Sequence, residues 1–220
     1  MADPLGTYEA RPLWQAQMPE LPDRRGRDLP DSVDVVVVGG GYTGVSAART
    51  FALAGAKVTL LEAGRLGSGA STRNGGIVHP GYHWGPAELD HRYGPELGRE
   101  LFRETLDGYT FLRDLIARES IDAELVEHGH LELAWAPSHL DDLRAAQRGL
   151  EAAGVPCSIV GRDDLATEIG STAYFGALAV EGSGGIHPGR YFAGLVEAAI
   201  RAGADLHEGV RARGVREQAD

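Results

Sequence analysis

Three glycines and one acidic residue give the strongest chemical signal in this sequence of 220 residues. Gly39, Gly41 and Gly44 match the pattern G-x-G-x-x-G of dinucleotide-binding turns. In such a turn the first glycine permits a tight bend, the second lets a pyrophosphate approach the backbone, and the third lets helix and strand pack closely. Glu62 follows at about the 20-residue spacing at which an acid accepts hydrogen bonds from an adenosine ribose. Its charge would repel a 2′-phosphate, which disfavours NADP.

The predicted elements around these residues place them as this chemistry requires. Residues 33–38 form a β-branched run of strand length, apolar enough to be covered on both faces of a parallel sheet. Residues 45–53 are rich in alanine and predict a helix, and residues 57–62 predict a second strand. Free amides at the helix start, around Tyr42 and Thr43, would face the phosphates. This βαβ pattern disfavours a glycine-rich turn without a ligand, but it leaves FAD and NAD open.

Composition excludes several other classes of protein. Apolar residues make up 43% of the chain and charged residues 24%, as in an ordinary globular protein. The net charge of −11 gives no general attraction for nucleic acid or for an anionic membrane, so we expect neither as a partner. A single cysteine, Cys157, cannot form an internal disulfide. Without an apolar signal segment or a run of membrane-spanning length, the sequence predicts a cytoplasmic protein.

The rest of the chain predicts a second, mixed region. Residues 63–86 are rich in glycine and have no helical or strand period, which indicates a long functional loop. The elements predicted after it are helices over 95–118, from about 138 to 153, near 163 and from Pro188, and strands over 129–136, 174–180 and 204–209. The alternation between residues 125 and 180 differs from the flanking pattern, which predicts an inserted domain.

The glycine motif and the loop after it resemble a known family. Residues 34–62, continuing through Gly-Ala-Ser-Thr-Arg-Asn-Gly-Gly at 69–76, are similar to D-amino-acid-oxidase-like FAD-dependent oxidoreductases. Within that family the sequence most resembles the γ-glutamylputrescine oxidoreductase-like amine oxidases. Leu13-Trp14 and residues 185–191 also resemble that branch. The resemblance covers nearly the whole chain, strongly before Pro80 and loosely after it.

The resemblance implies FAD as the cofactor and gives each motif a part in holding it. The glycine turn and Glu62 would bind the ADP half, Ala70 and Ser71 would lie along the pyrophosphate and ribityl chain, and residues 75–77 would pass beside the flavin ring. The cofactor-binding set expected on this basis is Gly39, Gly41, Tyr42, Thr43, Gly44, Glu62, Ala63, Ala70, Ser71, Gly75, Gly76 and Ile77.

The implied reaction transfers a hydride to the flavin from a carbon that bears an amine, and water then hydrolyses the imine. The substrate would be a small amine or amino acid. The flavin carries out the difficult step, so no catalytic base is required, and the sequence offers no convincing candidate for one. Residues 79–84 include two histidines, a tyrosine and a tryptophan that follow the loop and could contact substrate, although such residues more often pack locally. His128 and His130 lack the further ligands of a metal site, so we predict no metal.

The resemblance also implies a domain organisation. We expect an α/β fold in which a Rossmann-like FAD-binding domain, residues 33–122 plus 183–220, carries an inserted α+β substrate domain, residues 123–182, after an N-terminal arm, residues 1–32. Family members are roughly twice as long, so both domains would be incomplete and the chain would be an N-terminal fragment. Its protein partner would then be a C-terminal half or a second copy. Two alternatives stay open, an NAD-dependent dehydrogenase and a non-catalytic dinucleotide-binding module.

Overall fold

The computed structural model describes residues 11–217, which form helices and short strands in alternation. The helices are α1 (Leu13–Gln17), α2 (Tyr42–Leu53), α3 (Pro86–Tyr93), α4 (Pro95–Glu119), α5 (Pro137–Ala152), α6 (Arg162–Ile169) and α7 (Pro188–Arg201). The strands are β1 (Val35–Val38), β2 (Val58–Glu62), β3 (Ile77–Val78), β4 (His130–Leu133), β5 (Cys157–Gly161), β6 (Gly176–Val180), β7 (Gly184–Gly185) and β8 (Asp205–Glu208). A single turn of 3-10 helix covers Ala70–Thr72. The predicted α/β class is confirmed.

The described residues divide into two compact units. Unit 1 contains residues 11–76, 116–124 and 187–217, and unit 2 contains residues 77–115 and 125–186. The sequence-based division placed residues 77–115 in the first domain, whereas here they belong to unit 2. The reason is packing, because Leu89 and Phe102 of α3 and α4 are buried in one core with the strands of unit 2.

Unit 1 contains the predicted βαβ pattern. Its sheet has the order β1-β2-β8, and all pairs are parallel, with Val38 beside Leu61 and Glu62 beside Glu208. Helix α2 contacts β1, β2 and α7. Small buried residues of α2, such as Ala48 and Ala52, allow this close packing. The three predicted strands therefore form within one or two residues of their expected positions, and the helix begins three residues earlier than predicted.

One face of β1 differs from the prediction. Val36 and Val38 are 54% and 64% exposed, so β1 is not covered on both faces as its apolar sequence suggested. Val35 and Val37, on the other face, are partly buried. A Cβ atom built on Gly44 of α2 would lie 3.4 Å from Val37 Cγ1, which shows which face the helix covers.

The described part of the N-terminal arm packs on unit 1. Its residues 11–32 belong to unit 1, and the helix α1 packs against α7. Leu21 is buried, and Arg25 forms an isolated parallel bridge with Glu208 at the edge of the sheet. Residues 1–10 of the predicted arm lie outside the described residues.

Unit 2 contains an antiparallel sheet of order β4-β6-β5 and a short antiparallel pair, β3 with β7. Helices α3 and α5, together with the first part of α4, contribute side chains to its core, which includes Leu89, Phe102, Leu143, Leu178 and Val180. The sequence predicted neither α3 nor β5, because both are short and follow proline- or glycine-rich stretches. Between residues 11 and 217, no helix is both long and apolar enough to cross a membrane.

Candidate functional site

The turn between β1 and α2 is closed by direct contacts that only glycine permits. Gly39 has a φ of +104° and donates its amide to Leu61 O at 2.9 Å. A Cβ on Gly44 would overlap the carbonyl oxygen of Gly39, and one on Gly40 would lie 2.6 Å from Leu66 Cδ2. The turn is therefore packed too tightly for side chains at these positions.

The start of α2 presents backbone amides and no negative charge. Gly41 is the N-cap residue, and the first turn contains no acidic side chain. The Tyr42 amide donates to Ser71 Oγ at 3.0 Å, so this predicted phosphate donor already has a partner. Thr43 and Gly44 are the next residues of the helix, and their amides have no acceptor within it. Together with the helix dipole, these amides make an anion-binding end.

Glu62 is held in place at the carboxyl end of β2. Its Oε2 accepts a hydrogen bond from the Gly40 amide and its Oε1 accepts one from the Gly64 amide, both at 2.7 Å. The carboxylate therefore joins the glycine turn to the beginning of the loop. Each oxygen keeps a further lone pair, with which it can accept a hydrogen bond from a hydroxyl group.

The Tyr42 side chain has a structural role that the sequence did not suggest. Its hydroxyl donates to Pro188 O at 3.1 Å, and its ring centre lies 5.2 Å from that of Tyr191. Burial raises the pKa of the Tyr42 hydroxyl, and burial also raises the pKa of Tyr191 to about 12. Both phenols are thus neutral anchors between α2 and α7.

Residues 63–76 are ordered by side chains that bind backbone groups. Asn74 Nδ2 donates to Ala70 O at 3.2 Å, and Asn74 Oδ1 accepts from the Gly76 amide at 2.8 Å. Thr72 is fully buried, and its hydroxyl donates to Gly67 O. The side of the loop that presents Ala63, Ala70 and Gly75 is exposed, whereas Gly76 is buried. The predicted irregular loop is therefore a defined structure.

The structure brings most of the expected cofactor-binding set together in unit 1. The turn contacts Glu62 through Gly40, and it contacts the loop through Ser71, which lies 3.1 Å from a Cβ built on Gly41. Ile77 lies in unit 2, where it is 73% exposed and pairs with Gly185. Its assignment to the cofactor site remains a prediction.

Sequence reasoning missed a second carboxylate that organises the same loop. Glu208 is buried at the end of β8, where it accepts hydrogen bonds from the amides of Leu66, at 2.7 Å, and Arg24, at 3.1 Å. Arg65 Nε also donates to it at 3.1 Å. An acid at the end of the third predicted strand, in the same place as Glu62 in the second, was the available signal. Trp14 and Gln15 contact the loop as well; a family resemblance pointed to Trp14, and no signal in the sequence pointed to Gln15.

The aromatic residues that follow the loop lie around a cavity of about 440 Å³ in unit 2. His79 and His130 have ring centres 5.6 Å apart, and His130 Nδ1 is 2.9 Å from Ser183 Oγ. Burial, and secondly His79, lowers the pKa of His130. Trp84 stacks with the Arg92 guanidinium at 4.4 Å. These contacts are the local packing expected of such residues, and their contact with substrate remains a prediction.

Fold and site together define a class of protein. A parallel sheet whose first strand runs through a glycine turn into a helix, with an acid at the end of the second strand, is a dinucleotide-binding α/β domain. Residues 34–220 match the DAO family of FAD-dependent oxidoreductases, and the chain belongs to that family. The predicted family and its cofactor, FAD, are thereby confirmed.

Relatives and a solved structure support this assignment. The probable oxidoreductase OrdL of Rhizobium meliloti (strain 1021) is 32% identical over 207 residues, which cover 93% of this chain and 47% of that protein. The γ-glutamylputrescine oxidoreductase of Escherichia coli (strain K12) is 34% identical over 80% of this chain and 41% of that protein. The crystal structure of glycine oxidase from Geobacillus kaustophilus superposes with a TM-score of 0.66 at 27% identity, over 80% of this chain and 46% of the other. The chain thus spans less than half the length of these proteins.

Proposed function

We propose that the chain binds FAD through unit 1 and forms part of an enzyme that oxidises a small amine or amino acid. The observation that carries this proposal is the convergence of the glycine turn, Glu62 and Ser71 in a member of the FAD-dependent oxidoreductase family. The names of two relatives, a γ-glutamylputrescine oxidoreductase and a glycine oxidase, support the substrate class.

The start of α2 suits the pyrophosphate of FAD. The amides of Thr43 and Gly44 have no acceptor within the helix, and no acidic side chain in the first turn repels an anion. Gly41 has no side chain, and the position of its missing Cβ lies 3.1 Å from Ser71 Oγ. Because Gly41 has no side chain, we expect a phosphate to approach the amides of Thr43 and Gly44 closely, with the Ser71 hydroxyl beside it.

Glu62 suits the adenosine ribose. Two backbone amides fix its carboxylate, so it accepts hydroxyl hydrogen bonds without first losing side-chain freedom. Its negative charge discriminates against a 2′-phosphate. Ala63, Ala70, Gly75 and Gly76 complete the proposed contact surface with small or absent side chains, and Ile77 is included on the family resemblance.

The bound flavin would supply the acceptor for a hydride from the carbon that bears the amine, which leaves an imine for water to hydrolyse. The protein's residues orient the cofactor and need not abstract a proton in that step. We assign no catalytic residue, since no side chain described in unit 2 has hydrogen-bond partners that identify it as a catalytic base.

The test is a visible spectrum of the purified chain after incubation with FAD and removal of the unbound cofactor. We expect a retained flavin spectrum, which bleaches when glycine or γ-glutamylputrescine is added without oxygen. Glu62→Gln should weaken FAD binding about tenfold, equivalent to about 1.4 kcal/mol, because it loses the charge and one strong acceptor. Glu168→Gln, an exposed acid in α6, is the matched control and should change nothing. A folded chain that retains no flavin contradicts the proposal.

A second candidate is a dinucleotide-binding module without activity of its own. The exposed Val36 and Val38 favour it, because an apolar sheet face of this kind is normally covered by further polypeptide. Flavin that is retained but not bleached by either amine would support this candidate over the first.

A further inference from the structure

The N-terminal helix α1 is hydrogen-bonded to the same loop that the proposed FAD site uses. Trp14 Nε1 donates to the carbonyl oxygen of Asn74 at 2.8 Å. Gln15 Nε2 donates to Gly67 O at 3.0 Å and to Thr72 Oγ1 at 2.9 Å. Two adjacent residues of the arm therefore hold three positions of a loop that lies more than 50 residues further along the chain.

The other side of α1 is fixed to the beginning of α7. The Trp14 ring meets the His187 ring edge-on with a centroid distance of 4.8 Å, and His187 Nε2 lies 3.2 Å from Gln17 Oε1. A Cβ on Gly189 would overlap the carbonyl oxygen of Trp14, so the two helices touch at their backbones. Because α7 belongs to the core of unit 1, these contacts fix the position of α1 relative to that core.

The bonds from α1 continue through the loop to the glycine turn. Asn74, whose carbonyl accepts from Trp14, also uses its side chain to bind the Gly76 amide and the carbonyl of Ser71, the latter at 3.1 Å. Ser71 in turn accepts from the Tyr42 amide at the start of α2. The peptide held by Trp14 directly precedes Gly75, the first of the residues proposed to lie beside the flavin.

We infer that Trp14 and Gln15 are positioning residues for FAD, and that they hold residues 67–76 in the binding conformation without touching the cofactor. The inference rests on the proposed function. A loop that is already ordered loses less conformational entropy on binding, so these bonds act on affinity through preorganisation. Without them, FAD has to order the loop itself, and the affinity falls.

The test uses Trp14→Phe in the full chain, because phenylalanine keeps an aromatic ring against His187 but loses the Nε1 donor together with one ring of the indole. Trypsin cleaves after arginine, and Arg73 is an exposed arginine within the loop. In the absence of FAD we expect cleavage after Arg73 to become about tenfold faster, while cleavage after Arg201, exposed at the end of α7 in the same unit, stays the same. The Kd for FAD should rise about tenfold. Trp135→Phe, at a 70% exposed tryptophan of unit 2, is the matched control.

Gln15→Leu removes the other two bonds and should change both measurements in the same direction. Unchanged cleavage after Arg73 and an unchanged Kd in both variants would overturn the inference. Faster cleavage at Arg73 and Arg201 alike, with a lower melting temperature, would also overturn it, since the arm then stabilises unit 1 as a whole and not the loop. A wild-type chain that binds no FAD overturns the proposed function instead, and the cleavage rates still report whether α1 orders the loop.

Discussion

The turn at residues 39–44 and the loop at residues 63–76 form the two sides of the proposed site, and they differ in the contacts that mainly hold them. The turn is closed by backbone atoms in contact, with Gly44 against the Gly39 carbonyl. The loop is held by side chains, among them Thr72 and Asn74, that bind backbone groups. A structure made by close backbone approach fails when one methyl group is added, whereas one made by several hydrogen bonds weakens one bond at a time.

The largest effect is expected at Gly44. In Gly44→Ala the new Cβ would overlap the Gly39 carbonyl oxygen. The turn would have to open, and α2 would have to move away from the sheet. We expect a loss of about 3 kcal/mol or more in the free energy of unfolding, and no measurable FAD binding. Urea unfolding and flavin titration give the two values.

Gly69→Ala in the loop is the matched control for that substitution. Gly69 has an ordinary extended backbone, and nothing lies within 4 Å of a Cβ built there. The unfolding free energy should stay the same or rise by about 0.4–1 kcal/mol, because alanine reduces the entropy of the unfolded chain. Equal losses in the two variants would show that the turn and the loop are not held differently.

An intermediate effect is expected at Thr72. Thr72→Val keeps the shape of the buried side chain but removes the hydroxyl that donates to Gly67 O and accepts from Gln15. The free energy of unfolding should fall by about 1–3 kcal/mol, the usual cost of buried groups left without a partner. Thr50→Val, at an exposed threonine of α2, should change it by less than about 0.5 kcal/mol. If Thr72→Val lowers the free energy of unfolding as little as Thr50→Val does, the Thr72 hydroxyl does not stabilise the loop.

The smallest effect on stability, together with a large effect on binding, is expected at Gly41. Its φ of −90° suits alanine, and a Cβ there would lie 3.1 Å from the hydroxyl of Ser71, which has to shift by only a few tenths of an ångström. Gly41→Ala should therefore change the unfolding free energy by less than about 1 kcal/mol. The methyl group would occupy the space proposed for the pyrophosphate, so FAD binding should weaken at least about tenfold. Calorimetric titration with FAD measures this, and unchanged affinity would place the pyrophosphate elsewhere.

The same contrast explains which parts of the site the sequence could predict. The turn can be predicted from residue types, because only glycine fits where the chain packs directly against backbone atoms. The required glycines therefore form a recognisable pattern in the sequence. The strand run before it and the acid after it are equally local signals, and β1, α2 and β2 formed close to their expected positions.

The support of the loop depends on residues far apart in the sequence. Trp14 and Asn74 are 60 positions apart, and Glu208 reaches Leu66 across 142 positions, so no local pattern contains either contact. The apolar sequence of β1 likewise predicted cover on both faces, whereas Val36 is exposed, because coverage depends on distant segments and not on the strand's own residues. The compact units also differ from the domain boundaries expected from the sequence, since α3 and the first part of α4 join unit 2 through packing that their own sequences do not specify.

The four valines of β1 also affect the solubility of the chain. β1 is the edge strand of its sheet, and among residues 11–217 no strand pairs with its outer side. An unpaired edge with apolar side chains is a template on which a strand of another molecule can add. Mutual repulsion between copies carrying a net charge of −11 opposes that encounter, but it acts only over the Debye length, which shrinks from about 30 Å at 0.01 M ionic strength to about 8 Å at 0.15 M. The solubility of the chain therefore depends on ionic strength, and salt removes the protection.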